Sequence, residues 1–110
     1  MYADLVFDHF EHPRHQGFLD TPTHVGVYTD PDTRDNIWLQ LDMPGPYVLD
    51  AKWSGSGSAL ATAGASMLID YLIGKRPSVT EDEFLSLFGP GVDPSCLAAW
   101  HALQTALEYQ

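Results

Sequence analysis

Apolar and polar positions at the start of the chain repeat with a helical period. Tyr2, Leu5, Val6, His9 and Phe10 share one face of residues 2–11. Pro13 ends that pattern, because the residue before a proline avoids the α region. Pro13, Gly17 and Pro22 then mark residues 13–22 as a loop. Beyond it the period switches to alternation. Residues 25–28 are a short alternating run, and Ile37, Leu39, Leu41 and Met43 alternate with polar neighbours over a longer one. Residues 48–53 give a third strand. DPDTRD (30–35) carries turn chemistry between the first two strands, and PGP (44–46) between the second and third. The second and third are close enough to pair as an antiparallel hairpin.

The helical period then returns. SGSGS (54–58) reads as a flexible junction, after which Leu60, Ala61, Met67, Leu68, Tyr71 and Leu72 fall on one helical face. Gly64 sits on that face, where glycine costs roughly 1 kcal/mol against alanine unless a neighbouring element needs the space. Gly74 suits the helix end, with Pro77 shortly after. Thr80 and Glu83 have capping-box spacing for a short helix through Leu87. Gly89, Pro90 and Gly91 break the chain again. Asp93 caps a last helix whose first turn holds Pro94 and whose stripe is Leu97, Trp100, Leu103 and Leu107. One helix, three strands and then helices predict an α+β fold with helices packed on a small antiparallel sheet. No repeat or composition break divides residues 1–110, so they read as a single domain.

Charge narrows the function classes. Fifteen acids against five Lys and Arg give a net charge of −10, which repels a phosphate backbone and excludes nucleic acid as partner. Such a surface suits a basic protein partner, a cation, or simple solubility. Cys96 is the only cysteine, so no disulfide forms within the chain, in keeping with a reducing compartment. Neither a signal-peptide pattern nor an apolar run of the ~20 residues needed for a membrane span is present, and the expected location is the cytoplasm.

Four segments, in order, resemble the IscU/NifU family, the scaffolds on which iron–sulfur clusters are assembled. DHFEHPRHQG (8–17) is similar to that family's DHY-x-x-PR-x-x-G opening, through Asp8, His9, Phe10, Pro13, Arg14 and Gly17. DPDTRDNIWLQL (30–41) resembles its A-P-x-C-G-D segment and the strand that follows. DAKWSGSGSALATAGASMLIDYLIGK (50–75) resembles D-A-[RK]-[FW], a cysteine loop, a helix and G-K. PSCLAAWHALQTAL (94–107) is similar, more weakly, to the cysteine-headed last helix. The resemblance implies the family's three-stranded sheet with helices, the layout the periodicity also gives. It further implies cluster or zinc binding by three cysteines and an aspartate, with a cysteine desulfurase or other assembly proteins as partners.

This chain departs from that ligand set. Thr33 and Ser56 stand at two of the cysteine positions, and Arg34 replaces the glycine after the first. Counting from Trp100 puts the third at Ser95, and counting from the helix end puts it at Pro94, with Cys96 close by on either count. Asp35 is kept. The long insertion of the zinc-dependent, SufU-like branch is missing between residues 57 and 95. Asp35 and Cys96 are therefore the remaining metal-ligand candidates. Iron–sulfur clusters need thiolates, and structural zinc takes four protein ligands, so either cofactor is expected to bind weakly or not at all within one chain.

Other constellations have bland readings beside the functional ones. Cys96 at a helix start is either a thiolate favoured by the macrodipole or a buried, inert thiol. His9, His12 and His15 have metal-like spacing, but Pro13 prevents one helical face from holding all three, which favours structural roles. SGSGSA before a helix suits an anion, yet lacks the lysine of a P-loop and reads as a turn. Asp30, Asp32 and Asp35 suit a weak cation site or a solvated turn, the turn being favoured. No G-x-S-x-G elbow supports Ser56 or Ser58 as a nucleophile. The expectation is a non-enzymatic scaffold-like protein with impaired or absent cluster binding. The alternative is a cluster-free binding or regulatory module for a desulfurase or other assembly partner. Whether two chains associate to share ligands is open.

Overall fold

The computed structural model describes residues 4–108, so Tyr2 of the first expected stripe lies outside the described residues. Helix α1 (Asp4–Glu11) leads into a loop and then strands β1 (His24–Thr29), β2 (Asn36–Asp42) and β3 (Asp50–Ser56). These form one antiparallel sheet in the order β1-β2-β3. Helices α2 (Ala59–Leu72) and α3 (Glu81–Leu85), a 3₁₀-helix (Pro94–Leu97) and α4 (Ala98–Glu108) complete the chain.

Alternation in β2 turns Ile37, Leu39 and Leu41 inward, where Ala51 and Trp53 of β3 join them, all essentially sealed from solvent. Trp38 and Val25 stay on the open face. α4 packs on β1 and β2, and α1 packs on α2. Nearly every residue of α2 from Ala61 to Ile69 is buried, the mark of a helix covered on several sides. The sheet and α4 meet backbone to backbone. A Cβ added to Gly26 of β1 would lie 2.0 Å from the Ala102 carbonyl oxygen, and one on Gly64 of α2 would lie 2.5 Å from that of Cys96. Gly64 thus admits the 3₁₀ segment to the surface of α2, the packing reason expected for a glycine on that face. Across from Gly26, α4 presents Ala102 and Ala106, small enough for the approach.

Element edges differ from the periodicity in four places. β3 begins at Asp50 rather than at residue 48. Val48 is buried outside the strand, its N–H donating to Lys75 O and its carbonyl accepting from Gly74 N. Pairing of Ser54 to Ser56 with Trp38 to Asn36 makes most of SGSGS strand instead of flexible junction. The capping box of Thr80 and Glu83 is present, but its helix stops at Leu85. The last helix opens as a 3₁₀ turn, capped by Asp93 and holding Pro94 as expected. Leu5 and Phe10, placed on the inner stripe of the first helix by their spacing, face solvent, and Val6 and His9 are the buried pair.

The DHFEHPRHQG segment closes the free edge of the sheet. Trp53 N–H donates to His15 O, Gly17 N–H to Trp53 O, and the indole Nε1–H of Trp53 to Arg14 O. These bonds satisfy backbone that an edge strand would otherwise leave open. Gly17, at φ 141°, supplies the backbone conformation the strap requires.

Candidate functional site

Three of the positions that the resemblance marks as family ligands, Thr33, Asp35 and Ser56, lie at one end of the sheet, where the turn before β2, the end of β3 and the start of α2 meet. In that turn Asp30 faces its own backbone: Oδ1 accepts N–H bonds from Asp32 (2.8 Å) and Thr33 (3.1 Å). Those amides hold the Asp30 carboxyl below its usual range. This is an Asx turn, and it leaves Arg34 with φ 66°. Thr33 is exposed, and its Oγ1 accepts from Asp35 N–H at 3.2 Å.

Asp35 is only 5% exposed. Ser58 N–H donates to its Oδ1 at 2.8 Å, and Ser58 Oγ–H to its Oδ2 at 3.0 Å. Ser58 is the N-cap of α2, and its Oγ also accepts from Ala61 N–H. The aspartate of the motif is therefore built into a helix cap. The group held at the SGSGSA turn is the chain's own Asp35. Ser56, the last residue of β3, is exposed and pairs with Asn36.

Cys96 lies elsewhere in depth. It is 0% exposed, within the core behind Gly64. Gly64 is six residues beyond the Ser58 cap, about 9 Å along the α2 axis. Burial, with Asp93 second, pushes the thiol up to about 11, opposite to a macrodipole-stabilised thiolate. Ser95 is buried as well, its N–H donated to Asp93 Oδ1. Thr33, Asp35 and Ser56 are thus brought to one pole, while Ser95 and Cys96 face the interior. Among the described residues no three His, Cys, Asp or Glu side chains are grouped to hold a metal ion. Two hydroxyls, a carboxylate committed to a cap and a protonated, sealed thiol do not fit an iron–sulfur cluster or zinc.

Two of the three histidines converge on Asp70 of α2. His9 is buried, with Nδ1 2.6 Å from Ser66 Oγ, and His15 Nε2 lies 2.6 Å from Asp70 Oδ1. His12 is exposed and takes no part. Ser66 and Asp70 were not singled out by the sequence, and Ser58 was weighed only as a nucleophile. The usable signal was polarity out of place: Ser66 on an otherwise apolar face, and Asp70 as the single acid of α2.

Comparison with known proteins agrees with this architecture. The model of the NifU-like N terminal domain matches residues 1–109. The zinc-dependent sulfurtransferase SufU of Bacillus subtilis is 33% identical over 75 residues, covering 68% of this chain and 50% of that protein. The iron–sulfur cluster assembly scaffold protein IscU 1 of Archaeoglobus fulgidus is also 33% identical, covering 68% and 49%. The alignments thus span about half the length of these relatives. A NifU-like N-terminal structure from Brucella abortus superposes with a TM-score of 0.78 at 15% identity, covering 96% of this chain and 91% of that one. A SUF-system scaffold candidate from Fervidobacterium islandicum gives 0.79 at 18%, with 96% of both chains covered. No helix among the described residues is long and apolar enough to cross a membrane. With the four motifs in order, the sheet and helices in place and one cysteine where the ligand set calls for three, this chain belongs to the NifU-like N-terminal-domain family of iron–sulfur scaffolds.

Proposed function

We propose that this chain is a cluster-free member of its family, a non-enzymatic binding module. It engages a cysteine desulfurase or another assembly protein and neither accepts sulfur nor holds a cluster. The observation that carries this reading is the state of Cys96, the chain's only thiol: 0% exposed, and held protonated by burial. Sulfur transfer requires a thiolate that can reach a persulfide. The Bacillus subtilis relative is named a sulfurtransferase; that chemistry has no accessible nucleophile here. Asp35 and Cys96 are the residual family-type donors, and a metal shared by two chains through them would need Cys96 to leave the core.

The test is the iron, zinc and acid-labile sulfide content of protein purified without oxygen. Near-zero content per chain is expected, together with complex formation with a desulfurase and no persulfide on Cys96. Cys96→Ala should leave that complex intact and cost about 1 kcal/mol of stability. A brown preparation with stoichiometric iron and sulfide, or persulfide transfer abolished by Cys96→Ala, would sink the cluster-free reading.

A further inference from the structure

Three side chains distant in sequence meet where α1 lies on α2. Asp70 of α2 receives His15 from the loop, with Nε2 2.6 Å from Oδ1, and faces His9 of α1, with Nε2 3.6 Å from Oδ2. On its other side His9 Nδ1 is 2.6 Å from Ser66 Oγ, which also accepts Arg14 N–H at 2.9 Å. His9 is 4% exposed, and Asp70 48%. The same few atoms therefore tie both α1 and the strap after it to one turn of α2.

We propose that His9, His15 and Asp70 form a pH-operated latch, which clasps α1 onto α2 when His9 is neutral and releases α1, with the rest of the fold intact, on acidification. α1 depends on this docking. An isolated helix of eight residues is not stable in water. Leu5, Phe7 and Phe10 face solvent, leaving Val6 and His9 as its buried residues.

The charges around His9 set the sign. Asp8 is on its own helix, Arg14 and His15 come from the strap, and Asp70 comes from α2. Asp8 is already paired with Arg14 Nη2, and Arg14 Nη1 is buried without an acceptor. A proton on His9 thus puts a positive charge on a nearly sealed imidazole beside the Arg14–Asp8 pair, facing the half-exposed Asp70 carboxylate. Burial first, and Arg14 next, lower the His9 pKa, with Asp70 and Asp8 offsetting part of that. The docked state therefore binds this proton less readily than the released state. Docking is complete above the ordinary imidazole value of about 6.5. It weakens as pH falls below that value, by up to about tenfold per unit, until the docked-state pKa is reached. The latch goes beyond the partner-binding reading and does not depend on it.

Amide hydrogen exchange of residues 4–11 at pH 7.5 and 5.5, each normalised to the intrinsic rate, tests it. Protection of α1 should drop by up to about tenfold at pH 5.5 while β2 and α4 keep theirs. His9→Gln, whose amide still reaches Ser66 and Asp70 but does not titrate, should remove the pH dependence. Asp70→Asn should move release to higher pH. Equal protection at both pH values, the same drop in His9→Gln, or a drop shared by every element would overturn the proposal. Should His9→Gln fail to fold, the NMR titration of the His9 imidazole in the unaltered chain decides. A midpoint below 6.5 that coincides with the loss of α1 protection is expected, and a midpoint at or above 6.5 refutes the latch.

Discussion

Small residues dominate two regions of this molecule for opposite reasons. Between the sheet and α4 they are steric necessities: Gly26, Ala102 and Ala106 let two backbones touch, and Gly64 does the same for the 3₁₀ segment on α2. At the opposite kind of site, the loop pole, Thr33 and Ser56 are small hydroxyl residues that touch little and stand where the family places thiols. The first region tolerates no change of volume, because no atom there has room to move. In the second, Asp35 is bonded to Ser58 and forms part of the α2 cap. Of the residues at the pole, Asp35 is tied into the fold through the cap, whereas Thr33 and Ser56 are exposed.

The strongest way to break the comparison is to add volume to the packed region. Gly26→Ala places a methyl group 2.0 Å from a backbone oxygen that has no rotamer by which to retreat. A loss of about 3 kcal/mol or more is expected, seen as a shifted midpoint in urea denaturation. A loss under about 1 kcal/mol would mean that α4 floats on the sheet and that the steric contrast between the two regions is unreal.

An intermediate effect is expected at the hinge between the two roles. Asp35→Ala removes both acceptors of Ser58 and leaves its N–H without a partner near the cap of α2. The expected cost is about 2 kcal/mol, with loss of exchange protection concentrated in the first turn of α2. Were Asp35 kept for metal rather than for the cap, its removal would barely change the stability of metal-free protein.

Much of this division was legible in the sequence. Periodicity placed the helices and strands, and Gly64 stood out as a departure from good helix formers, whereas the role of Gly26 emerges only from its contact with α4. The capping box at Thr80 and the Asp93–Pro94 helix start followed from local chemistry, which reads directly from spacing. Val48 was misplaced because burial by a loop looks like burial by a strand when only hydropathy is read. Leu5 and Phe10 were misplaced because helical spacing does not say how wide the covered face is, and on α1 it is narrow. At the loop pole, the family resemblance pointed to Thr33 and Ser56 as substituted positions. The partner of Asp35 was not visible, since a serine 23 residues away becomes its donor only once β2 and α2 are side by side. Burial of Cys96 was one of two readings open in the sequence, and the buried one holds, with Gly64 admitting the 3₁₀ segment to the surface of α2.

The smallest change in stability should come from putting the thiols back, and it sharpens the comparison most. Thr33 and Ser56 are exposed and lie at the same end of the sheet, Ser56 paired with the residue that follows Asp35. A Thr33→Cys, Ser56→Cys double variant should stay within about 0.5 kcal/mol of the parent, as surface replacements do. Its zinc content after dialysis should nevertheless rise from near zero, since two thiolates then flank a carboxylate that zinc also accepts. Adding Asp35→Ala should remove that gain. If the double variant binds zinc, the pole was stripped of its donors and kept its geometry. If it folds normally and takes up none, the Ser58–Asp35 lock has reshaped the pole as well. The loss of function would then reside in a hydrogen-bonded cap and not only in the missing sulfur.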